Sequence, residues 1–444
     1  MAVRFTRAQT TATNRQKFTL SMWVKRGVLD IQENIFGSHS SGSDEIQMQF
    51  NGDDQLYFLN YPTTTEGELK TTALFRDSSA YYNIVIAGDT TQAVAADRLK
   101  LYINGNQIVS AGNGFATDSY PPQNNNFAFG TASYTFVIGT SSPSGTNDPF
   151  TGLMSYVAFV DGTAYDASYF GETDASSGIW KIKTAPSVTY GNNGFYLKMD
   201  TATPTADSSG NDNTFTSNGT PTLTQDNASN NFAIFNPVAN GGENLTMTNG
   251  NTTVYGPDST WRSGWAGFAP SSGKWYFEAK KVGSSASMWI GIMDASQLDG
   301  TGTYKFTDKT RGYGYSAGGE KGNSGSESAW GNTYTQNDII GVAMDLDNQK
   351  IYFSKNGTWE NSGDPTSGST VTGSMYDIGS GYNYFPATGL YSTSAGWSFN
   401  FGNGFFGTDA VASSNADAAG YGLMEYAVPT GYYTLNTKNL NTYG

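Results

Sequence analysis

The sequence predicts an all-β protein built as two β-sandwiches in tandem. Three observations carry that expectation. Apolar residues recur with period two, as in Leu99-Lys100-Leu101-Tyr102-Ile103 and Gln349-Lys350-Ile351-Tyr352-Phe353, the spacing of a strand with one buried face. Both runs lead into Asn-Gly, at Asn104-Gly105 and Asn356-Gly357, which supplies the positive φ angles of a type I′ hairpin turn. The composition is that of turn-rich β structure, with 14% aromatic residues, 54 glycines, 14 prolines and only 14% charged residues. At 444 residues the chain has room for two domains of about 200 residues, each with its own core.

In chain order, the clean alternations are residues 18–25, 99–103 and 349–353. Short helical segments are expected at 166–170 and 410–419, the second on its alanines alone. The Thr-, Ser-, Asn- and Asp-rich stretch 200–230 places the boundary near residue 225, giving domains 1–225 and 226–444. Pro237 and Asn240-Gly241-Gly242 are further connector signals. In the second half, Trp275 and Phe277 alternate with Tyr276 and Glu278, so one face is aromatic core. Trp23, Trp275, Trp289 and Trp397 are expected to be core residues. The end, residues 431–444, is polar apart from Tyr432, Tyr433 and Leu435 and is expected to lie along the second sandwich.

Charge and residue usage exclude several classes of function. A net charge of −14 with no basic run argues against nucleic acid and against an anionic membrane surface. Without cysteine there is no disulfide, thiolate nucleophile or Cys-based metal site. The start, Met1-Ala2-Val3-Arg4-Phe5, lacks the apolar stretch of a signal peptide, and no window approaches a membrane span. The expectation is a chain made in a cytoplasm that works outside the cell, as a virion component does.

The search for chemistry returns little. His39, the one histidine, is expected in a Ser/Gly-rich loop, and any Ser-His-Asp triad would have to use it. No Gly-x-Ser-x-Gly elbow and no phosphate loop occur. Glycoside hydrolysis needs two carboxylates on one face. Asp44 and Glu45 are adjacent and point apart, whereas Asp345 and Asp347 have the right spacing but precede a hairpin. Asp207, Asn211 and Asn213 share a glycine-bearing turn and are candidate calcium ligands, with Asp53 and Asp54 second. The same residues are common in turns because they bond their own backbone. Candidate sugar-stacking aromatics are Tyr120, Trp261, Trp265, Trp330, Tyr334 and Trp359, each of which also reads as a hydrophobic plug between turns. Trp330, in a glycine-rich loop, is the first to test.

Residues Phe18-Thr19-Leu20-Ser21-Met22-Trp23-Val24-Lys25, Tyr81–Ile86, Leu99–Gly105 and Phe150-Thr151-Gly152-Leu153-Met154 resemble strands of laminin-G-like, concanavalin A-like domains. The turn Asp207-Ser208-Ser209-Gly210-Asn211 is similar to one found earlier in many such domains. Lys274-Trp275-Tyr276-Phe277-Glu278, Gly312-Tyr313-Gly314-Tyr315, Tyr384-Phe385-Pro386-Ala387 and Phe399-Asn400-Phe401-Gly402 resemble the SPRY family. The fold these imply is a pair of antiparallel, jelly-roll-like sandwiches, concanavalin A-like then SPRY-like.

A further ordered series resembles bacteriophage structural proteins, often tail fibres, notably of phages of marine bacteria. It runs through Val160-Asp161-Gly162-Thr163-Ala164, Gly178-Ile179-Trp180, Tyr190-Gly191-Asn192-Asn193-Gly194-Phe195, Ser229-Asn230-Asn231-Phe232 and Pro429-Thr430-Gly431-Tyr432-Tyr433. That resemblance implies a non-enzymatic virion protein, a tail-fibre, tail-tip or capsid-fibre component that binds host-surface glycan. Its implied partners are other virion proteins and copies of itself, a trimer being the common state of fibres, with no nucleic acid and no membrane insertion. Calcium is the one cofactor to consider. Two alternatives stay open: a capsid decoration or cement protein, and a capsule depolymerase.

Overall fold

The computed structural model describes residues 3–40, 45–62, 64–145, 147–199, 202–235, 237, 245–257, 259–299 and 302–444. Asp44 and the connector Asn240-Gly241-Gly242 lie outside them. The chain divides into two compact units. One is Met1–Arg76, Ala80–Leu223 and Asn227–Ser229; the other is Asp77–Ser79, Thr224–Asp226 and Asn230–Gly444.

The first unit packs an eight-stranded sheet on a six-stranded one, all pairings antiparallel. The smaller sheet runs Phe195–Leu197, Leu153–Asp161, Lys17–Lys25, Tyr82–Asp89, Leu99–Ile103, Asn106–Ile108. The alternation at residues 18–25 works as expected: Phe18, Leu20, Met22 and Val24 enter the core, while Trp23 packs with the cluster on the other face. Aromatic rings fill the space between sheets, with Phe159 4.8 Å from Phe136 and 6.0 Å from Phe36. A cluster of charges is buried here. Arg26 sits 2.7 Å from Asp54 and 3.4 Å from Glu33, with its guanidinium 4.5 Å from the Phe50 ring centre. His39 is not in a loop: it lies on the strand Glu33–Ser40, with Nδ1 3.1 Å from Glu45.

The outer face of the six-stranded sheet is also aromatic. Trp23, Tyr81, Val85, Phe170 and Tyr196 cluster there. The helical segment expected at 166–170 is a single 3-10 turn, Ala167–Tyr169, capped by Asp166, whose Oδ1 accepts from Ser168 N at 2.8 Å.

The second unit has the same two-layer plan. One sheet carries Thr246–Thr248, Thr253–Tyr255, Gly396–Asn400, Lys274–Lys281, Ile339–Asp345, Lys350–Lys355 and Thr358–Trp359 in that order. The other carries Arg262–Trp265, Tyr384–Leu390, Met288–Asp294, Gly312–Ser316, Glu320–Asn323 and Ser326–Ala329. Trp275, Phe277, Val342, Phe353, Trp397 and Phe399 form the core, and Trp289 is buried on the opposite side of its sheet. All four tryptophans expected to be core residues are buried.

The C-terminal segment does follow this sandwich, and more closely than its polarity suggests. Tyr433–Thr434 pairs with Lys274–Lys281, a parallel pairing in an otherwise antiparallel sheet. A helix then runs Thr437–Tyr443, capped by Asn436, whose side chain accepts from Asn439 N at 3.0 Å. Seven residues are too few to show a helical period. Residues 410–419 are not helical: a two-residue strand ends at Ala410 and turns follow, because those alanines form no apolar stripe.

Candidate functional site

Two hairpins of the first unit build a cleft of about 480 Å³. The first joins Leu99–Ile103 to Asn106–Ile108 through Asn104 (φ 47°) and Gly105 (φ 81°), as Asn-Gly requires. The second pairs Gly171–Thr173 with Trp180–Ile182, Thr173 opposite Trp180. Its tip is folded by Asp174, whose Oδ1 accepts from Ser176 N and Ser177 N, each at 2.9 Å, while Lys181 pairs with Oδ2. The lysine and these donors hold the Asp174 carboxyl well below the usual range.

Polar bonds fix the two hairpins against each other. Trp180 Nε1 donates to Asn83 Oδ1 at 3.0 Å, and Asn83 N donates to Asn104 Oδ1 at 2.8 Å. Asn104 N returns a bond to Asn83 O at 2.9 Å. The indole rests on glycine backbone: a Cβ at Gly105 or at Gly171 would fall 2.5 Å from its ring carbons. Its lining combines apolar Tyr81, Ile179 and Trp180 with polar Asn104, Asn106 and Thr173. Ile179 is 65% exposed, an unusual placement for so large an aliphatic side chain. A concave site of this size with an aromatic wall and a few polar groups suits a small ligand or part of a chain.

None of these residues was singled out as a ligand contact from sequence. The available signal was Gly178-Ile179-Trp180, two large apolar residues just after a turn. The aromatics that were singled out go elsewhere. Trp265 is 3% and Tyr334 2% exposed, so neither can stack on a ligand: both are core plugs. Trp330 is half-buried, edge-on to Tyr315 at 5.4 Å and near Phe353 at 6.2 Å. Trp359 packs on Tyr276, on the other face of that sheet. Trp261 lies 5.4 Å from Tyr391 and beneath Lys305. Tyr120 packs on the first core with its hydroxyl 3.2 Å from Ser110. These six do not converge on one site.

The calcium candidates do not fit a cation. Asp207 Oδ1 accepts from Tyr196 N and Ser209 N, and Oδ2 from Ser209 Oγ and Asn213 N, all at 2.8 Å. Asn211 and Asn213 turn their amide nitrogens onto backbone carbonyls, and Asn213 Oδ1 accepts from Arg7. The Asp207 and Asn213 oxygens are occupied by N–H and O–H donors, and the positive charge beside them is a guanidinium. Asp54 is likewise paired with Arg26 and Arg76, at 2.7 and 2.8 Å. Asp345, one of the spaced carboxylates, is buried 2.9 Å from Lys274, whereas exposed Asp347 accepts from Gly273 N, so the two flank no cleft.

Residues 2–167 match the concanavalin A-like lectin/glucanases superfamily, and residues 274–404 match the SPRY domain. The chain therefore carries a concanavalin A-like domain followed by a SPRY domain. The cleft straddles the end of the first match: Tyr81 to Asn106 lie inside it and Thr173 to Trp180 beyond it. Among solved structures, the SPRY domain of human HERC1 is 16% identical over 35% of this chain and 91% of its own, with a TM-score of 0.29. Stonustoxin is 13% identical over 38% of this chain and 27% of its own, with a TM-score of 0.28. A Bacteroides ovatus ATCC 8483 protein described as carbohydrate binding is 17% identical over 49% of this chain and 56% of its own, with a TM-score of 0.30. No curated protein sequence matches the chain.

Proposed function

We propose that this protein is a non-enzymatic glycan-binding protein that uses the cleft of its concanavalin A-like domain. The observation that carries the reading is that Trp180 and the exposed Ile179 share one cleft with the amide and hydroxyl groups of Asn104, Asn106 and Thr173. A sugar ring has the complementary form, C–H groups on its faces and hydroxyls on its rim. At a finer level we propose a bacteriophage virion component, a tail-fibre or tail-tip protein that attaches to host-surface glycan. That rests on the ordered resemblance running from Val160 to Tyr433. Weak contacts through one cleft gain strength when several copies are displayed together, as in a trimeric fibre.

The rival is a capsid decoration protein, which the sequence favours by having no coiled coil or collagen-like repeat for a shaft. Purified protein incubated with host cells and with isolated polysaccharide tests the glycan reading; no retention on either overturns it. Antibody labelling of intact particles tests the rest. Label at tail tips supports attachment, and label spread over the head supports decoration.

A further inference from the structure

The chemistry of the cleft walls narrows the ligand. Building on the glycan-binding reading above, we infer that the cleft takes an uncharged saccharide and needs no metal ion to do so.

Trp180 spends its one donor inside the protein, on Asn83, so it offers a ligand only carbon surface. With Tyr81 and Ile179 it forms a wall suited to the C–H face of a sugar ring. Several of the polar lining groups are unspent. Asn104 Nδ2, Asn106 Oδ1 and Thr173 Oγ1 bond to none of the described residues, so the cleft keeps both donors and acceptors for hydroxyl groups. Among the described residues no Lys, Arg, Asp or Glu lines it. The nearby cations are committed: Lys181 pairs with Asp174, and Lys25 is buried with its Nζ 5.8 Å from the Tyr81 ring centre. A uronate or sulfate would enter without a partner for its charge and lose hydration uncompensated. The net charge of −14 repels polyanions further. Discrimination here comes from what the cleft withholds as much as from what it supplies.

The experiment uses the full chain on an array of neutral hexose and N-acetylhexosamine oligosaccharides, oligogalacturonates, sulfated oligosaccharides and unrelated peptides, with and without EDTA. We expect binding to neutral saccharides, at least about tenfold weaker binding to the acidic ones, and no effect of EDTA. Ile179→Asp and Asn106→Lys change exposed side chains, so folding, checked by circular dichroism, is retained. Ile179→Asp should weaken neutral binding about tenfold, and Asn106→Lys should strengthen uronate binding by a similar factor. Val94→Asp, 61% exposed and outside the cleft, should change neither.

Binding to acidic saccharides alone, or loss of binding in EDTA, overturns the inference and leaves the glycan reading standing. Neutral binding untouched by both cleft variants removes the cleft and again leaves that reading. Retention of peptides and of no saccharide overturns both.

Discussion

Each unit has an aromatic outer sheet face roofed by a later stretch of chain, and the two roofs differ. In the first unit the hairpin Gly171–Thr173 and Trp180–Ile182 covers part of the face, leaving Ile179 exposed and a cleft beside Trp180. In the second, residues 412–435 lie over Tyr276, Ala343 and Tyr352, with Met424 and Tyr432 fully buried. Three polar side chains close that roof. Glu278 accepts from Glu425 N and Tyr426 N, each at 2.8 Å, and from Tyr276 Oη at 3.0 Å. Asn400 Nδ2 donates to Leu423 O at 2.9 Å. Asp417 accepts from Thr434 N and Oγ1, Asn439 Nδ2, Ala419 N and Tyr421 N. Spare hydrogen-bonding groups on the first face are what the proposed ligand site uses, whereas the bonds to Glu278, Asn400 and Asp417 tie the second roof down.

The largest test of that contrast is Asp417→Ala. It removes the acceptor of four buried or half-buried donors at once, Asn439 Nδ2 keeping its bond to Thr434 O at 2.9 Å, and should cost about 3 kcal/mol. Urea unfolding with hydrogen exchange over residues 417–439 measures it. A loss below about 1 kcal/mol would mean the roof is no seal.

Next comes pH. Burial pushes the Glu278 carboxyl up to about 7, against the pull of its backbone donors and Tyr276. Between about 4.5 and 7 the folded chain keeps this proton and the unfolded chain has lost it. Stability from this group is therefore complete below pH 4.5, falls as pH rises to 7, and is flat above, by up to roughly 3 kcal/mol. Glu278→Gln should flatten that slope. An unchanged slope would place the titration elsewhere and weaken the sealed-roof picture.

How much of this was legible in the sequence depends on the range of the interaction involved. Period-two runs and the two Asn-Gly turns are local, and both sandwiches and both hairpins follow from them. Alternation also put Tyr276 and Glu278 on the face away from the core, correctly. It could not show that chain about 150 residues later buries that face too. The cleft is invisible for the same reason. Asn83, Asn104 and Trp180 meet only through sheet topology, and Trp180 fits only because Gly105 and Gly171 lack side chains. Conversely, Trp265 and Tyr334 sit in polar, turn-like sequence yet fill core gaps.

Trp330 sharpens the comparison from the side of the second unit. Its ring packs edge-on against Tyr315 and Phe353 and is half-buried, so Trp330→Ala should cost about 2 kcal/mol. Saccharide binding per folded molecule should not change. A variant of normal stability that had lost binding would move the site into the second unit.

The smallest expected effect is none. If the Asp207 turn held calcium, EDTA would lower the melting temperature of the first unit. Its four acceptor positions are instead filled by Tyr196 N, Ser209 N and Oγ, and Asn213 N, with Arg7 supplying the nearby charge. That arrangement works without metal, so melting in EDTA and in millimolar calcium should coincide. Asp207→Ala should destabilise by about 2 kcal/mol in both. Asp207 in the first unit and Asp417 in the second then do the same work, each folding a late segment of chain by gathering its backbone N–H groups. The units differ in whether the roof over the outer sheet face is left open. A calcium-dependent shift would break this symmetry, making the first unit metal-gated and the second hydrogen-bonded.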